Sequence, residues 1–400
     1  MMSGMRILLG VTGGIAAYKA VDVLRRLREQ GAEVRVVMTR NATRFVTPLT
    51  FSALSGMPVL TDEFTEHEWG SMGHIAVTDG LDLALVVPAT ANIIGKMAAG
   101  LADDALSTAL IAAACPIIVA PAMNDRMYRN DILQGNIASL RAVGIRFVEP
   151  DTGALACGTT GQGRLASTES ILQAVVAAIS PKSLSGIKVL VTAGPTREPI
   201  DAVRFISNPS TGKMGYALAA AARDRGADVL LVSGPAQLPC PQGVDLISVM
   251  TAAEMERAVK DHAGRCHVII MAAAVSDFRP MEPSDRKIKK NNASLHVALE
   301  PTNDILLGLG ESKEGRILVG FAAETDALVQ NAREKLTRKN LDLIIANDIN
   351  APGSGFAADT NKAIMIDGAG TIDELPKMTK SEMAVRIINK VIELKKNQGL

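Results

Sequence analysis

Apolar residues recur along this chain in two alternating rhythms. Short runs rich in Val, Ile and Leu, unbroken by charge, alternate with longer stretches whose apolar positions return every three or four residues. The first rhythm suits strands buried on both faces, the second amphipathic helices, and their alternation predicts βαβ units around a parallel sheet. RILLGVT (6–12) is followed by glycines 13 and 14, a helix over about 15–30, a stop at Gly31 and a strand over 32–39. The same grammar returns at KVLVTAG (188–194), then a polar insertion, a helix over about 213–225, and GADVLLVSG (226–234). Further core strands are expected at 83–90 and 116–124, and again at 267–275, 316–324 and 341–348.

Two similar starts predict two consecutive α/β domains, each a doubly wound parallel sheet of Rossmann or flavodoxin type. The polar, Pro/Gly-marked ISPKSLSG (179–186) places the boundaries at 1–180, a linker at 181–186, and 187–400. A length of 400 residues agrees, since one core rarely organises so long a chain. With 48% hydrophobic, 21% charged and 3% aromatic residues, the chain is neither disordered nor collagen-like. Its 42 basic and 42 acidic residues cancel, which argues against whole-molecule attraction to nucleic acid or anionic membrane. Four scattered cysteines without CxxC suggest neither a disulfide framework nor a zinc site, and the start lacks signal-peptide features, so a cytoplasmic setting is expected. The uncharged stretch Ala105–Met123 is long enough to span a membrane, but Pro116 and Pro121 divide it. It reads better as a buried helix running into a core strand.

Ligands of doubly wound sheets sit beyond the carboxyl ends of the strands. In the first half, Gly13, Gly14 and Ile15 open a helix whose free N–H groups and dipole suit a phosphate. GVTGGI is not GxGxxG, and Thr39 stands where NAD enzymes carry a ribose-binding acid, so a phosphate or flavin tail fits better than a dinucleotide. Thr90 and Asn92 offer uncharged hydrogen bonds of the kind a flavin ring needs, or serve as turn and cap residues. His74 precedes an apolar run, where a lone histidine is more often structural than catalytic. Cys157 lies in the glycine-flanked LACGTTGQGRL, a loop able to deliver a thiol to a closed site, whereas Cys115 and Cys266 adjoin core strands as buried fillers.

GVTGGIAAYK, the histidine, PAMNDRM and ACGTTGQGR stand in an order that resembles the flavin-dependent cysteine decarboxylases, phosphopantothenoylcysteine decarboxylase among them, over the whole first half. Tyr128 replaces the tryptophan of that family's PxMNxxMW. The resemblance implies FMN held by Gly13, Gly14, Ile15, Thr39, Thr90 and Asn92. It implies oxidation of the substrate thiol to a thioaldehyde, which accepts the electrons that the departing carboxylate leaves. His74 would be the base for that oxidation, Asn124 and Met127 would surround the substrate carboxylate, and Cys157 would donate the final proton.

In the second half, SNPSTGKMG (207–215) mixes Ser, Thr, Gly and Lys like a Walker A loop but lacks GxxxxGK[ST], and it also reads as a capped helix start. Arg286–Lys290 and the pair Lys335/Lys339 are basic clusters, which are ordinarily solvated faces. The first follows AAAVSD (272–277), a strand end delivering a carboxylate, and acid plus lysines at sheet ends suits a metal-bound triphosphate. AGPTREPID, SNPSTGKMG, AAAVSDF, KIKK, GFAAET and RKNLD together resemble the phosphopantothenate–cysteine ligases. The complete chain therefore resembles bifunctional lyase–ligase enzymes of coenzyme A biosynthesis.

That resemblance implies CTP with Mg²⁺, activation of 4'-phosphopantothenate as an acyl-cytidylate, and attack by L-cysteine. Met271, Ala272, Ala273, Asp277, Asn303, Asp304, Ile305, Leu306, Phe321, Lys335 and Lys339 would meet the nucleotide, with Asp277 also at the metal. Asn303 begins NDIL where the family often has PDI. Lys287 would reach the phosphates from a closing loop, and Asn208 would hold the substrate carboxylate or the acyl intermediate. It implies a homo-oligomer of trimeric decarboxylase and dimeric ligase units, as large as a dodecamer. A non-catalytic flavoprotein subunit and a flavin prenyltransferase-like enzyme are the alternatives. The first should lack His74, Asn124 and Cys157, and the second explains neither PAMN with Cys157 nor the second half.

Overall fold

The computed structural model describes residues 2–63, 73–154, 160–289, 295–324, 328–348, 358 and 360–398, with backbone only at 73, 74, 154, 323, 324 and 348. The chain divides into two compact units, Met1–Ser180 and Pro181–Leu400.

The first unit runs β1 (Arg6–Val11), α1 (Ala17–Glu29), β2 (Glu33–Met38), α2 (Pro48–Ser55), β3 (Val59–Leu60), α3 (Gly73–Thr78), β4 (Leu83–Ala89), α4 (Ala91–Ala99), α5 (Ala105–Ala112), β5 (Ile117–Pro121), α6 (Asp125–Tyr128), α7 (Asp131–Ala142), β6 (Arg146–Phe147), β7 (Asp151–Ala154), β8 (Thr160–Arg164) and α8 (Thr168–Ile179). Six strands form a parallel sheet ordered β3-β2-β1-β4-β5-β6, while β7 and β8 pair as a separate hairpin. The central strands are apolar on both faces for a simple reason. Ile7, Leu9 and Val11 of β1 enter one core layer and Leu8 the other, so both faces are covered. Ala105–Met123 is α5 followed by β5. A capping box between Asp104 and Ser107 starts that helix. No helix among the described residues is long and apolar enough to cross a membrane.

The second unit runs β9 (Lys188–Ala193), β10 (Arg197–Pro199), β11 (Phe205–Ser207), α9 (Lys213–Asp224), β12 (Asp228–Ser233), β13 (Asp245–Ser248), α10 (Ala252–Ala263), β14 (Val268–Met271), β15 (Phe278–Pro280), β16 (Leu299–Pro301), α11 (Ile305–Glu311), β17 (Ile317–Glu324), α12 (Leu328–Arg338), β18 (Leu343–Asp348), β19 (Thr360–Asp367), β20 (Ile372–Thr379) and α13 (Lys380–Gln398). Its eight-stranded sheet is ordered β13-β12-β9-β14-β17-β18-β19-β20. Two findings depart from the sequence reading. The sheet is parallel only through β18, because β19 and β20 add an antiparallel edge. The strand expected over 267–275 keeps regular pairing only to Met271. Beyond it, Thr192 Oγ1 takes the Ala273 N–H at 3.1 Å, and Pro195 and Ala274 form an isolated bridge in which Ala274 N–H donates to Gly194 O and Ala274 O accepts the Thr196 N–H.

The segment 181–186 is not a free tether. Leu184 is buried and its N–H donates to Arg225 O at 2.9 Å. Cys266 is buried as expected, whereas Cys115 is only half-buried.

Candidate functional site

The carboxyl ends of β14, β17 and β18 in the second unit surround a cavity of about 380 Å³. Of the residues singled out in this half, Asn208, Met271, Ala272, Ala273, Asp277, Asn303, Asp304, Ile305, Leu306, Phe321, Lys335 and Lys339 all line it. The walls are held rigidly. Thr302 donates its N–H to Asp277 O (2.9 Å) and its hydroxyl to Ser276 O (2.6 Å). Asp304 caps α11 through the Leu307 N–H (3.1 Å) and pairs with Lys339 Nζ at 2.7 Å. Burial pushes the Asp304 carboxyl up, but Lys339 and the Leu307 N–H outweigh it and hold the group below its ordinary value.

Asn208 donates both amide hydrogens to backbone, at 3.2 Å to Ala274 O and 3.1 Å to Val275 O. What it turns to a ligand is therefore the acceptor Oδ1, not the donor expected for holding a carboxylate. Lys287 is set apart: it is exposed and does not line the cavity. Its segment is fastened to the β10–β11 hairpin, since Ile288 N–H donates to Asp201 Oδ2 (3.1 Å), Arg204 donates to Ile288 O (2.8 Å), and Ser284 N–H donates to Ile200 O (3.0 Å). The sequence reading missed Lys213, Asn347, Asn361 and Lys380, which also line the cavity. Asn347 ends an apolar strand, so the strand-end rule could have found it. Asn361, which donates to Asn347 Oδ1 at 2.9 Å, and Lys380 arrive on β19 and α13 and carry no local signal.

In the first unit the switch point of the sheet lies between β1 and β4. Thr12 bridges it: its hydroxyl donates to Pro88 O at 2.6 Å and accepts the Thr90 N–H at 3.1 Å. Gly13 passes so close to the chain after β2 that a β-carbon there would lie 2.4 Å from Asn41 Cβ. A β-carbon on Gly14 would lie 3.8 Å from Thr90 Cγ2, and Ile15 is exposed. The helices α1 and α4 start without side-chain caps, and Asn92 lies exposed in the first turn of α4. Thr39 extends β2 by donating its N–H to Val11 O, and its hydroxyl accepts the Ala42 N–H at 3.3 Å.

Asn124 caps α6, its Oδ1 accepting the Arg126 N–H at 2.9 Å. The hairpin strand β8 rests directly on this turn. Met123 N–H donates to Gly163 O (2.9 Å), Gln162 N–H to Asp125 Oδ1 (3.0 Å), and a β-carbon on Gly161 would lie 2.6 Å from Asp125 Cγ. Met127 is exposed beside it. Tyr128 points inward and its hydroxyl donates to Glu149 Oε2 at 2.7 Å; burial first, then that carboxylate, pushes its phenol pKa up. The side chain of His74 and all of Cys157 lie outside the described residues.

Residues 1–180 match the Flavoprotein family, and residues 184–394 match the family of the DNA/pantothenate metabolism flavoprotein C-terminal domain. The chain is 47% identical over 403 residues to the coenzyme A biosynthesis bifunctional protein CoaBC of Bacillus subtilis (strain 168), covering 100% of this chain and 99% of that one. It is 46% identical over 365 residues to the protein of the same name from Escherichia coli (strain K12), covering 90% of each. Among solved structures, the C-terminal domain of a CoaBC protein superposes with a TM-score of 0.48 at 40% identity, covering 54% of this chain and 99% of that one.

Proposed function

The chain belongs to the family of coenzyme A biosynthesis bifunctional proteins, and on that premise we propose how its two units divide the work. The second unit ligates L-cysteine to 4'-phosphopantothenate at the expense of CTP. The first then decarboxylates the 4'-phosphopantothenoylcysteine to 4'-phosphopantetheine. The observation that carries this reading is the cavity in which Asp277, Lys335, Lys339 and Asn208 converge at the carboxyl edge of the sheet.

Ligation begins when a carboxylate oxygen of phosphopantothenate attacks the α-phosphorus of CTP and pyrophosphate departs. Two anions must meet, so the lysines act first by lowering their repulsion. Among the described residues no cluster of three metal-ligating side chains occurs. A lone Asp277 nevertheless fits Mg²⁺ that arrives on the triphosphate and keeps most of its waters. The cysteine amine then attacks the acyl carbon, expelling CMP. Asn208 Oδ1, aimed by the bonds its nitrogen makes, serves that step as an acceptor for the incoming N–H. Lys287 reaches the phosphates from its fastened segment.

In the first unit, uncapped helix starts, the glycines and uncharged Thr12, Thr39, Thr90 and Asn92 fit a phosphate tail and a neutral ring. Bound there, FMN supplies a two-electron acceptor that later returns the pair. Asn124, its Oδ1 engaged in capping α6, turns its amide donor toward the substrate carboxylate, and Met127 narrows the same pocket. His74 removes a proton and Cys157 returns one to carbon. The assembly is a homo-oligomer of trimeric decarboxylase and dimeric ligase units.

The purified protein should be yellow and should consume CTP only when phosphopantothenate and cysteine are both present. A colourless sample without CTP turnover refutes the reading. Cys157→Ser should release CO₂ yet fail to yield the saturated aminothiol, and normal turnover would exclude the cysteine as proton donor.

A further inference from the structure

We propose that Asn303 reads the amino edge of the nucleobase, and that Glu256, a residue of α10 outside the cavity lining, orients its amide for the task. The inference rests on the CTP-dependent reading of this cavity and names what selects the base.

Asn303 Nδ2 donates to Glu256 Oε2 at 2.9 Å, while Glu256 Oε1 receives Lys260 Nζ at 2.6 Å. Lys260 and Asn303 hold the Glu256 carboxyl below its ordinary value, so at neutral pH it is ionised and can only accept. An acceptor-only neighbour decides which way an asparagine amide faces. The nitrogen must lie toward Glu256, and Oδ1 is turned away from it.

The backbone on either side is fixed as well. Thr302 is bonded to Ser276 and Asp277, and Asp304 to Leu307 and Lys339. Asn303 therefore offers a positioned acceptor at the cavity wall, flanked by Thr302 and the Lys339-paired Asp304 and followed in the lining by the apolar, buried Ile305 and Leu306.

An acceptor repels phosphate and carboxylate oxygens and needs a donor. An acceptor beside apolar side chains suits the edge of a flat ring more than a ribose or a phosphate. The exocyclic amine of cytosine supplies the donor, whereas uracil presents a carbonyl there. A proline at this position, as in PDI, would offer no side-chain acceptor.

Ligase assays at saturating phosphopantothenate and cysteine, with CTP or UTP varied, compare wild type, Asn303→Ala and Glu256→Gln. Wild type should favour CTP, and Asn303→Ala should lose about tenfold of the CTP/UTP ratio in kcat/KM, through CTP. In Glu256→Gln a side chain that donates as well as accepts no longer dictates the amide, so the ratio falls in the same direction by less. The ratio is internal to each protein, and damage to folding lowers both rates without moving it. An unchanged ratio in both variants overturns the assignment. So does a loss that a separate cysteine titration at saturating CTP confines to the KM for cysteine, which would place the acceptor at the cysteine ammonium. Wild type that consumes no CTP sinks the ligase reading, and this inference with it.

Discussion

Gly215 tests how rigidly the cavity is mounted. It lies in the first turn of α9, where a β-carbon would fall 2.5 Å from Ala193 Cβ, 2.7 Å from Thr192 O and 2.9 Å from Ala193 Cα. None of these can swing aside, since two are strand backbone and the third is an alanine methyl. Carbon–carbon contacts are comfortable near about 3.5–4.0 Å, so Gly215→Ala requires α9 to lift by roughly 1 Å. The helix carries Leu218, Ala219 and Ala222, all fully buried. Overpacking costs about 1–3 kcal/mol, and the lack of a yielding neighbour places this variant near the top of that range. For a unit of this size that is about 6–12 °C in Tm. The same turn brings Ser210 to Met214 into the cavity, where a misplacement of about 1 Å costs roughly 100-fold in rate. Gly308→Ala in α11 is the paired control: nothing lies within 4 Å of its added methyl. That change should stabilise by about 0.4–1 kcal/mol through the unfolded state and helix propensity. Calorimetry alongside ligase assays reads both variants. Gly215→Ala melting within about 1 °C of wild type would refute the close approach as a structural constraint.

Two further outcomes follow from the same kind of contact. Lys390 Nζ lies 3.0 Å from Asp367 Oδ2, and although burial pushes that carboxyl up, Lys390 and the Thr371 N–H hold it below its ordinary 3.8. A lowered folded pKa gives stability that is present above the unfolded value and is lost as pH falls through the folded one. Lys390→Met should thus cost about 1–2 kcal/mol at neutral pH, and denaturant titrations should show its gap to wild type closing below about pH 4; a gap independent of pH would contradict the pairing. In the first unit, Gly13→Val should drive side-chain atoms into Asn41 and abolish flavin retention, read as absorbance of the purified protein, while ligase turnover by the second unit persists. Flavin retained at the wild-type level would remove the Gly13 turn from the binding site.

The parallel strands were legible because covering both faces of a sheet favours nearly continuous apolar runs, and such runs stand out in any sequence. The edge strands β19 and β20 were not, because they interleave Lys362, Asp373, Glu374 and Lys377 with buried Ala363, Ile366 and Leu375. The overextended strand at 267–275 failed for another reason. Its composition stays apolar, and only the distant Thr192 hydroxyl, which takes the Ala273 N–H, marks where the ladder stops. The site divides in the same way. Thr90, Asn92 and Asp277 were legible by position, since topology gathers strand ends at one edge whatever their separation in sequence, whereas Asn303–Leu306 and Phe321 came from the motif resemblance alone. Lys380 was invisible because its place depends on β19 and β20 folding back, which brings the start of α13 to that edge. Lys287 is the opposite case: its basic run is conspicuous in the sequence, but its position outside the cavity lining depends on the Asp201–Arg204 node that fastens its segment, more than eighty residues away.

On the proposed chemistry, the two units would meet their ligands at the same kind of edge with different electrostatics. The chain has 42 charges of each sign, yet the cavity lining gathers Lys213, Lys335, Lys339 and Lys380 against Asp277 and Asp304. Lys213 and Lys380 begin α9 and α13, so their charges add to the positive ends of the helix dipoles instead of offsetting them. The local potential is therefore more positive than the side-chain count alone. That serves a step in which a carboxylate must approach a triphosphate, where repulsion between reactants dominates the barrier. At the first unit's edge the candidate positions Thr12, Thr39, Thr90, Asn92 and Asn124 bring hydroxyls and amides, with Arg40 and Asp125–Arg126 as the charges beside them. A reaction that moves an electron pair between a substrate and a neutral ring gains little from fixed charge, which would favour one redox state over the other. Dipoles that can donate or accept with small adjustments serve both directions, so the hydroxyls and amides of the one site and the lysines of the other each follow from the chemistry proposed for them.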